Sequence, residues 1–348
     1  SLVYLWGSPV SAQTGAEWVQ VTGEADWPAR WKHTSVSYDG KLWVMGGNRS
    51  LNDVWSSPNG EGWTLVTGDA EWTGREDHTS LVYNGKMWVM GGWFDRSSIF
   101  GRLNDVWSST DGSQWEAATM EAPWSARYGH ASVVHNGKMW VLGGYRGDTY
   151  LNDAWYSTDG VNWTAATLDG GWPARADMTS ASFDGKIWIM GGNSGEPGRD
   201  YLLPYNDVWF SEDGASWIQA VEEAPWIQRR FHSSVVFRDR FWLFGGGYPY
   251  FLAPFYNMTN EVWWTTDGAN WTLATASADW IPRGEHTSVV HDGKMWILGG
   301  ANQEEGRLND VWYSSSTEGI SSDINEDGVV DSDDLVILMS DWKKVSAP

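Results

Sequence analysis

The sequence predicts an all-β protein built as a six-bladed propeller whose N-terminal strand closes the ring. A tryptophan-rich unit recurs six times, a Gly-Gly pair stands at one fixed place in each copy, and one tryptophan precedes the first complete copy. Of 29 tryptophans, 24 fall into four columns of six. The first column is Trp27, Trp72, Trp124, Trp172, Trp226 and Trp280, each three residues before Arg30, Arg75, Arg127, Arg175, Arg229 or Arg283. The second lies thirteen residues after each arginine, at Trp43, Trp88, Trp140, Trp188, Trp242 and Trp296. Segments resembling "NDVW" carry the third at Trp55, Trp107, Trp155, Trp209, Trp263 and Trp312. Eight further on stand Trp63, Trp115, Trp163, Trp217 and Trp271, but the sixth position holds Ile320. Trp18, nine residues before Trp27, has the spacing of the missing member.

Each unit reads as four short strands, illustrated by "HTSVVHDG", "KMWILGG", "NDVWYS" and a last one around the fourth tryptophan. Asn84-Gly85, Asp292-Gly293, Asp111-Gly112 and Asp159-Gly160 are read as tight hairpins, because both turn positions favour positive φ. Four-stranded units in series form propeller blades, and closing the ring removes exposed strand edges. Trp18 therefore places the N-terminal strand in the last blade.

Over residues 16 to 315 the pattern resembles the kelch family: an "RxxH" start, an apolar strand into Gly-Gly, "NDVW", a turn and a tryptophan. The family's tyrosine before the last tryptophan is matched by Tyr156 and Tyr313 and approximated by Phe210 and Trp264, but Ser56 and Ser108 depart from it. The propeller is expected to span residues 13–316.

The formal charge of −22 argues against nucleic acid and anionic membranes as partners. With no cysteine, thiolate metal sites and thiol nucleophiles are excluded. No apolar run reaches the length of a membrane span. Residues 1–12 read as a signal-peptide remnant, with an apolar stretch ending in Val10-Ser11-Ala12, so a secreted or extracellular protein is expected.

After a linker at 317–322, residues 323–348 begin with "DINEDGVVDSDD". Asp323, Asn325, Asp327, Val329 (through its carbonyl), Asp331 and Asp334 stand at the ligand positions of a twelve-residue Ca²⁺ loop, with Gly328 at its sharp turn. "DLVILMSDW" follows with the apolar spacing of a helix face. Asp334 in place of the usual Glu, and no clear helix ahead of the loop, resemble a single dockerin repeat. That resemblance implies a cohesin-like partner, although dockerins normally carry two repeats.

Between Gly-Gly and the next "ND" or "NE" the six units have 4, 11, 7, 13, 13 and 8 residues. Variable loops on a fixed frame are where binding residues concentrate. These loops are expected on the face that also carries the blade-to-blade connections. They bring Trp93, Tyr145, Arg146 and Tyr150, with Arg199, Asp200 and Tyr201 in the fourth and Phe251, Leu252 and Phe255 in the fifth. The kelch resemblance puts two variable positions after each arginine at the channel mouth. These include Trp31, Lys32, Glu76, Asp77, Tyr128, Asp177, Arg230, Phe231 and Glu285. Aromatic faces there suit stacking on sugars or gripping side chains, and converging carboxylates suit acid–base work or holding a cation. Six repeated arginines, each matched by an acid from Asp53, Asp105, Asp153, Asp207, Glu261 or Asp310, read as architecture. So do His33, His78, His130, His232 and His286, with Met178 as the sixth of the column.

The resulting expectation is a secreted binding module that recognises a glycan, or a protein, on the loop-rich face and is anchored by its Ca²⁺ tail. The alternative is a carbohydrate-active enzyme, a lyase, hydrolase or sugar isomerase, using the mouth carboxylates.

Overall fold

A computed structural model describes residues 15–48, 50–94, 101–195, 202–249 and 256–314. The 317–322 linker, the calcium loop and helix at 323–348, and Arg199, Asp200, Tyr201, Phe251, Leu252 and Phe255 lie outside the described residues.

Six four-stranded antiparallel sheets follow one another around an axis. The first runs through Thr34–Tyr38, Lys41–Gly47, Leu51–Ser57 and Thr64–Thr67, paired in sequence order. In the sixth, Thr287–His291, Lys294–Asn302 and Gly306–Ser314 are completed by Trp18–Thr22, with Trp18 opposite Ser314 and Val19 opposite Tyr313. The ring is thus closed by hydrogen bonds between its two ends, as the missing tryptophan implied. In blades four and five the variable loop forms its own ribbon, Asn193–Gly195 with Leu202–Pro204 and Gly247–Pro249 with Tyr256–Met258. Among the described residues there is no helix, and none is long and apolar enough to cross a membrane.

The core lies between blades. One cluster joins Val36, Trp43, Met45 and Val54 of the first blade to Trp72, Met87, Val89 and Trp115 of the second. A first-column tryptophan packs edge-on against the fourth-column one of the blade it precedes, as Trp27 does on Trp63 at 5.9 Å. Each second-column indole N–H reaches its own blade's first hairpin, as Trp43 does to the Tyr38 carbonyl at 2.9 Å, so the polar edge of a buried ring is satisfied.

Asn84 and Gly85 both have positive φ in a two-residue hairpin, as expected, and Asp292 and Gly293 repeat it. Asp111-Gly112 and Asp159-Gly160 do not form such hairpins. They sit in longer turns between third and fourth strands, where Asp111 Oδ1 accepts from the N–H groups of Ser113 and Gln114. The glycine is required for another reason: at φ 76°, a Cβ on Gly112 would stand 2.3 Å from the Trp43 ring of the preceding blade. Sequence pattern alone could not distinguish this interblade packing from a hairpin.

The six arginines are architectural. Arg30 is fully buried and gives Nη1 and Nη2 to Asp53 at 2.8 Å each, Nη1 to the Gly46 carbonyl and Nε to the Pro28 carbonyl. Its backbone pairs with Leu308 and Gly300 of the sixth blade, so one residue ties two blades. Bidentate pairing of this kind, with carbonyls taking two further N–H groups, is what makes a buried guanidinium tolerable. Trp55 Nε1 completes the cluster by donating to Asp53 Oδ2.

Candidate functional site

The variable loops and the connections between blades share one face, because each connection bridges the start of the loop in its own blade. Glu76 pairs with Trp93, Tyr128 with Tyr145, Ala176 with Asn193 and Arg230 with Gly247. Gly284 pairs likewise with Ala301, so the first position after five of the six arginines is consumed in this pairing, while Trp31 accepts from the Asn48 N–H and donates to the Asn48 side chain. The second turns toward the axis.

Those second positions are Lys32, Asp77, Gly129, Asp177, Phe231 and Glu285, and all six have φ between 52° and 60°. Their backbones form a closed circle. Lys32 N–H donates to the Glu285 carbonyl, Asp77 to Lys32, Gly129 to Asp77, Asp177 to Gly129, Phe231 to Asp177 and Glu285 to Phe231, at 2.8 to 3.3 Å. Five of the six are not glycine, so the left-handed backbone is imposed by this circle against a local preference of about 1–2 kcal/mol each. Strain of this kind collects at functional sites. The sequence located these positions, but Lys32, Phe231 and Glu285 carried no sign of their conformation.

The circle surrounds a cavity of about 130 Å³ at the channel mouth. Lys32 Nζ lies 2.5 Å from Asp77 Oδ2 and 3.8 Å from Glu285 Oε1, while Arg230 Nη1 lies 3.2 Å from Asp177 Oδ2. Both cations also stand over the Phe231 ring, at 5.4 and 4.1 Å. The cation held by these carboxylates is therefore Lys32 itself, and among the described residues no group of three or more acids or histidines is placed to hold a metal. Burial works to lower the Lys32 pKa, but Asp77, Glu285, Asp177 and Glu76 overcome it and hold the ammonium charged. Glu285 is pushed up to about 7, by burial first and then by Asp77 and Asp177 against the pull of Lys32. Asp177 rises to about 6 for the same leading reason, with Arg230 opposing.

Beside the mouth lies a half-buried aromatic row. Trp93 stacks on Tyr128 at 5.1 Å and 14°, Tyr128 meets Tyr145 edge-on at 5.5 Å, and Tyr145 lies 4.6 Å from Tyr150. Trp31 stands apart from it, with the guanidinium of Arg307 5.1 Å over its ring. The structure thus brings Lys32, Asp77, Asp177, Phe231 and Glu285 into one cavity with Arg230 against it, and sets Trp93 and Tyr128 alongside.

Below the mouth, the first strands line a central channel of about 250 Å³ with histidine and hydroxyl side chains. His78 Nε2 pairs with Thr34 of the preceding blade at 3.0 Å, His130 with Thr79 at 2.9 Å and His286 with Ser233 at 2.8 Å. The hydroxyls were missed from the sequence, although "HTS", "HAS", "MTS" and "HSS" recur in register there.

These features define a six-bladed propeller with an acidic axial socket and an aromatic row on its loop-rich face. The chain belongs to the kelch-repeat family: the family described as the KLHDC2/KLHL20/DRC7 Kelch-repeats domain matches residues 32–246. A solved protein titled "Structure of YjhT" is similar at 16% identity with a TM-score of 0.68, covering 84% of this chain and 96% of its own, which is a likeness of fold. No curated protein matches the chain.

Proposed function

We propose that this kelch propeller is a recognition module that binds a protein partner through its loop-rich face. The observation that carries the reading is the Trp93–Tyr128–Tyr145–Tyr150 row, half-buried beside a strained, charged mouth on a frame whose repeated residues are otherwise occupied. Large rigid rings next to fixed charges are the usual anchors of binding surfaces. A neutral or cationic glycan is the alternative ligand. Secretion, and a Ca²⁺-dependent tail at 323–348 meeting a cohesin-like partner, belong to this proposal on the sequence alone.

The test is selection of binders from a displayed peptide library and a glycan array in parallel. Binding should be lost in Trp93→Ala and Tyr145→Ala and kept in Val161→Asp, which alters an exposed residue in the Asp159-Gly160 turn. Contacts mapping to that turn instead would refute the reading. A catalytic reading draws on one observation, that Glu285 and Asp177 share a cavity with pKa values near 7 and 6, the range of general acid–base groups. Reducing-end product analysis on array hits, repeated with Glu285→Gln, tests it.

A further inference from the structure

Resting on that reading of the face, we infer that the channel mouth is a socket for one lysine ammonium of the partner, with Glu285 as its acceptor. Asp77 and Asp177 each have a cation within hydrogen-bond reach, at 2.5 and 3.2 Å. Glu285 does not. Its side chain is only 9% exposed, it lines the cavity, and Lys32 Nζ stands 3.8 Å away. A carboxyl left short of donors in a buried site is costly, so a ligand that supplies a donor is favoured there.

Charge selects the kind of donor. Four carboxyls face two cations around the mouth, so the site has room for added positive charge, and a net charge of −22 steers cations inward and anions away. Size selects the form. About 130 Å³ is small beside the roughly 300–1,000 Å³ clefts that enclose whole ligands, so one side-chain end enters and the rest stays on the face. Lysine ends in a compact charge with three freely rotating donors, which suits a single carboxyl in a narrow space. The aromatic row beside the mouth then receives the residues flanking that lysine.

The probe is n-butylammonium, with butan-1-ol and butyrate as controls, titrated against the whole chain by saturation-transfer NMR. One saturable site is expected for n-butylammonium alone. Glu285→Gln should weaken it at least tenfold with a melting temperature no lower than that of the intact protein, and Lys32→Met should tighten it by vacating competing charge. Affinity should rise from pH 6 to 8 as Glu285 ionises; the charged groups facing it are Lys32, Asp77, Asp177 and Arg230, while His33 and His286 beneath stay neutral. Butan-1-ol binding as well as the amine, or indifference to both substitutions, overturns the socket. Should library binders respond to Trp93→Ala while n-butylammonium finds no site, the socket fails and the protein-binding reading stands. Should the amine bind at Glu285 with no peptide engaging the face, the socket stands and that reading fails.

Discussion

Trp18 meets Trp280 edge-on, ring centroids 6.0 Å apart at 88°, although the two come from opposite ends of the propeller sequence. The same geometry joins Trp27 to Trp63 and Trp72 to Trp115 within the chain. Trp18 also donates its indole N–H to Gly15 at 3.0 Å, as Trp63 does to Gly60, so it is the fourth-column residue of the sixth blade in every contact.

Trp18→Ala should therefore cost about 3–5 kcal/mol, the range for emptying a buried aromatic site. Deleting residues 15–24 should cost more, since it also bares the strand Gly306–Ser314. Thermal or urea unfolding reads both. A truncated protein that melts with the intact one would show that the ring does not depend on this closure.

Columnar and face tryptophans should separate cleanly. Trp140 is 2% exposed, and its ring occupies the space beside Gly214 of the next blade. Trp140→Ala should lose about 3–5 kcal/mol and unfold or aggregate the chain. Trp93 is half-exposed, and its stack on Tyr128 is worth about 0.5–1.5 kcal/mol. Trp93→Ala should remain folded by circular dichroism while binding to the face falls. The reverse ranking would exchange their roles.

The blades, the closure and the arginine clusters were legible because each is repeated six times, and repetition turns spacing into geometry. Trp18 could be assigned by a nine-residue interval alone. The mouth was legible only as positions. Lys32, Phe231 and Glu285 are held in the left-handed region by a circle of tertiary hydrogen bonds, and none of these residue types announces that conformation. The turn at Asp111-Gly112 was misread for a related reason: its glycine answers to Trp43 of another blade, a contact that local pattern does not encode.

Stability should fall as pH falls below about 6.5. Burial first, and Arg30, Arg127 and Arg229 next, push His33, His130 and His232 down to about 3, and His78 and His286 lie well below their ordinary value. A histidine with a depressed folded pKa contributes fully above its unfolded pKa of about 6.5 and costs stability progressively as pH drops toward its folded value. Asp177 and Glu285 act oppositely, since their raised values favour the fold at lower pH. Five histidines outweigh two carboxyls. Each net proton is worth about 1.4 kcal/mol per pH unit, so the melting temperature should decline steadily from pH 6.5 to 4.5. A flat profile would mean that the histidine layer ionises freely in the fold.

The histidine layer changes chemistry at Met178. In the fourth blade Met178 replaces histidine, and the hydroxyl partner one blade back is replaced as well, by Ala131. The substitution is steric as well as chemical: Met178 Cε lies over Gly143 where His78 Cε1 lies over Gly46. A buried polar pair exchanged on both sides for apolar groups is nearly neutral, whereas changing one side strands a polar atom. Met178→His alone should therefore cost about 1–3 kcal/mol, and Ala131→Thr alone a comparable amount. The double substitution rebuilds the Thr34–His78 arrangement, 3.0 Å in the first pair of blades, and should recover most of the loss. Urea unfolding of the four proteins gives the coupling energy, expected at about 1 kcal/mol or more in favour of the pair. Strictly additive losses would show that Ala131 and Met178 changed independently and that the histidine–hydroxyl contacts hold no blade to its neighbour.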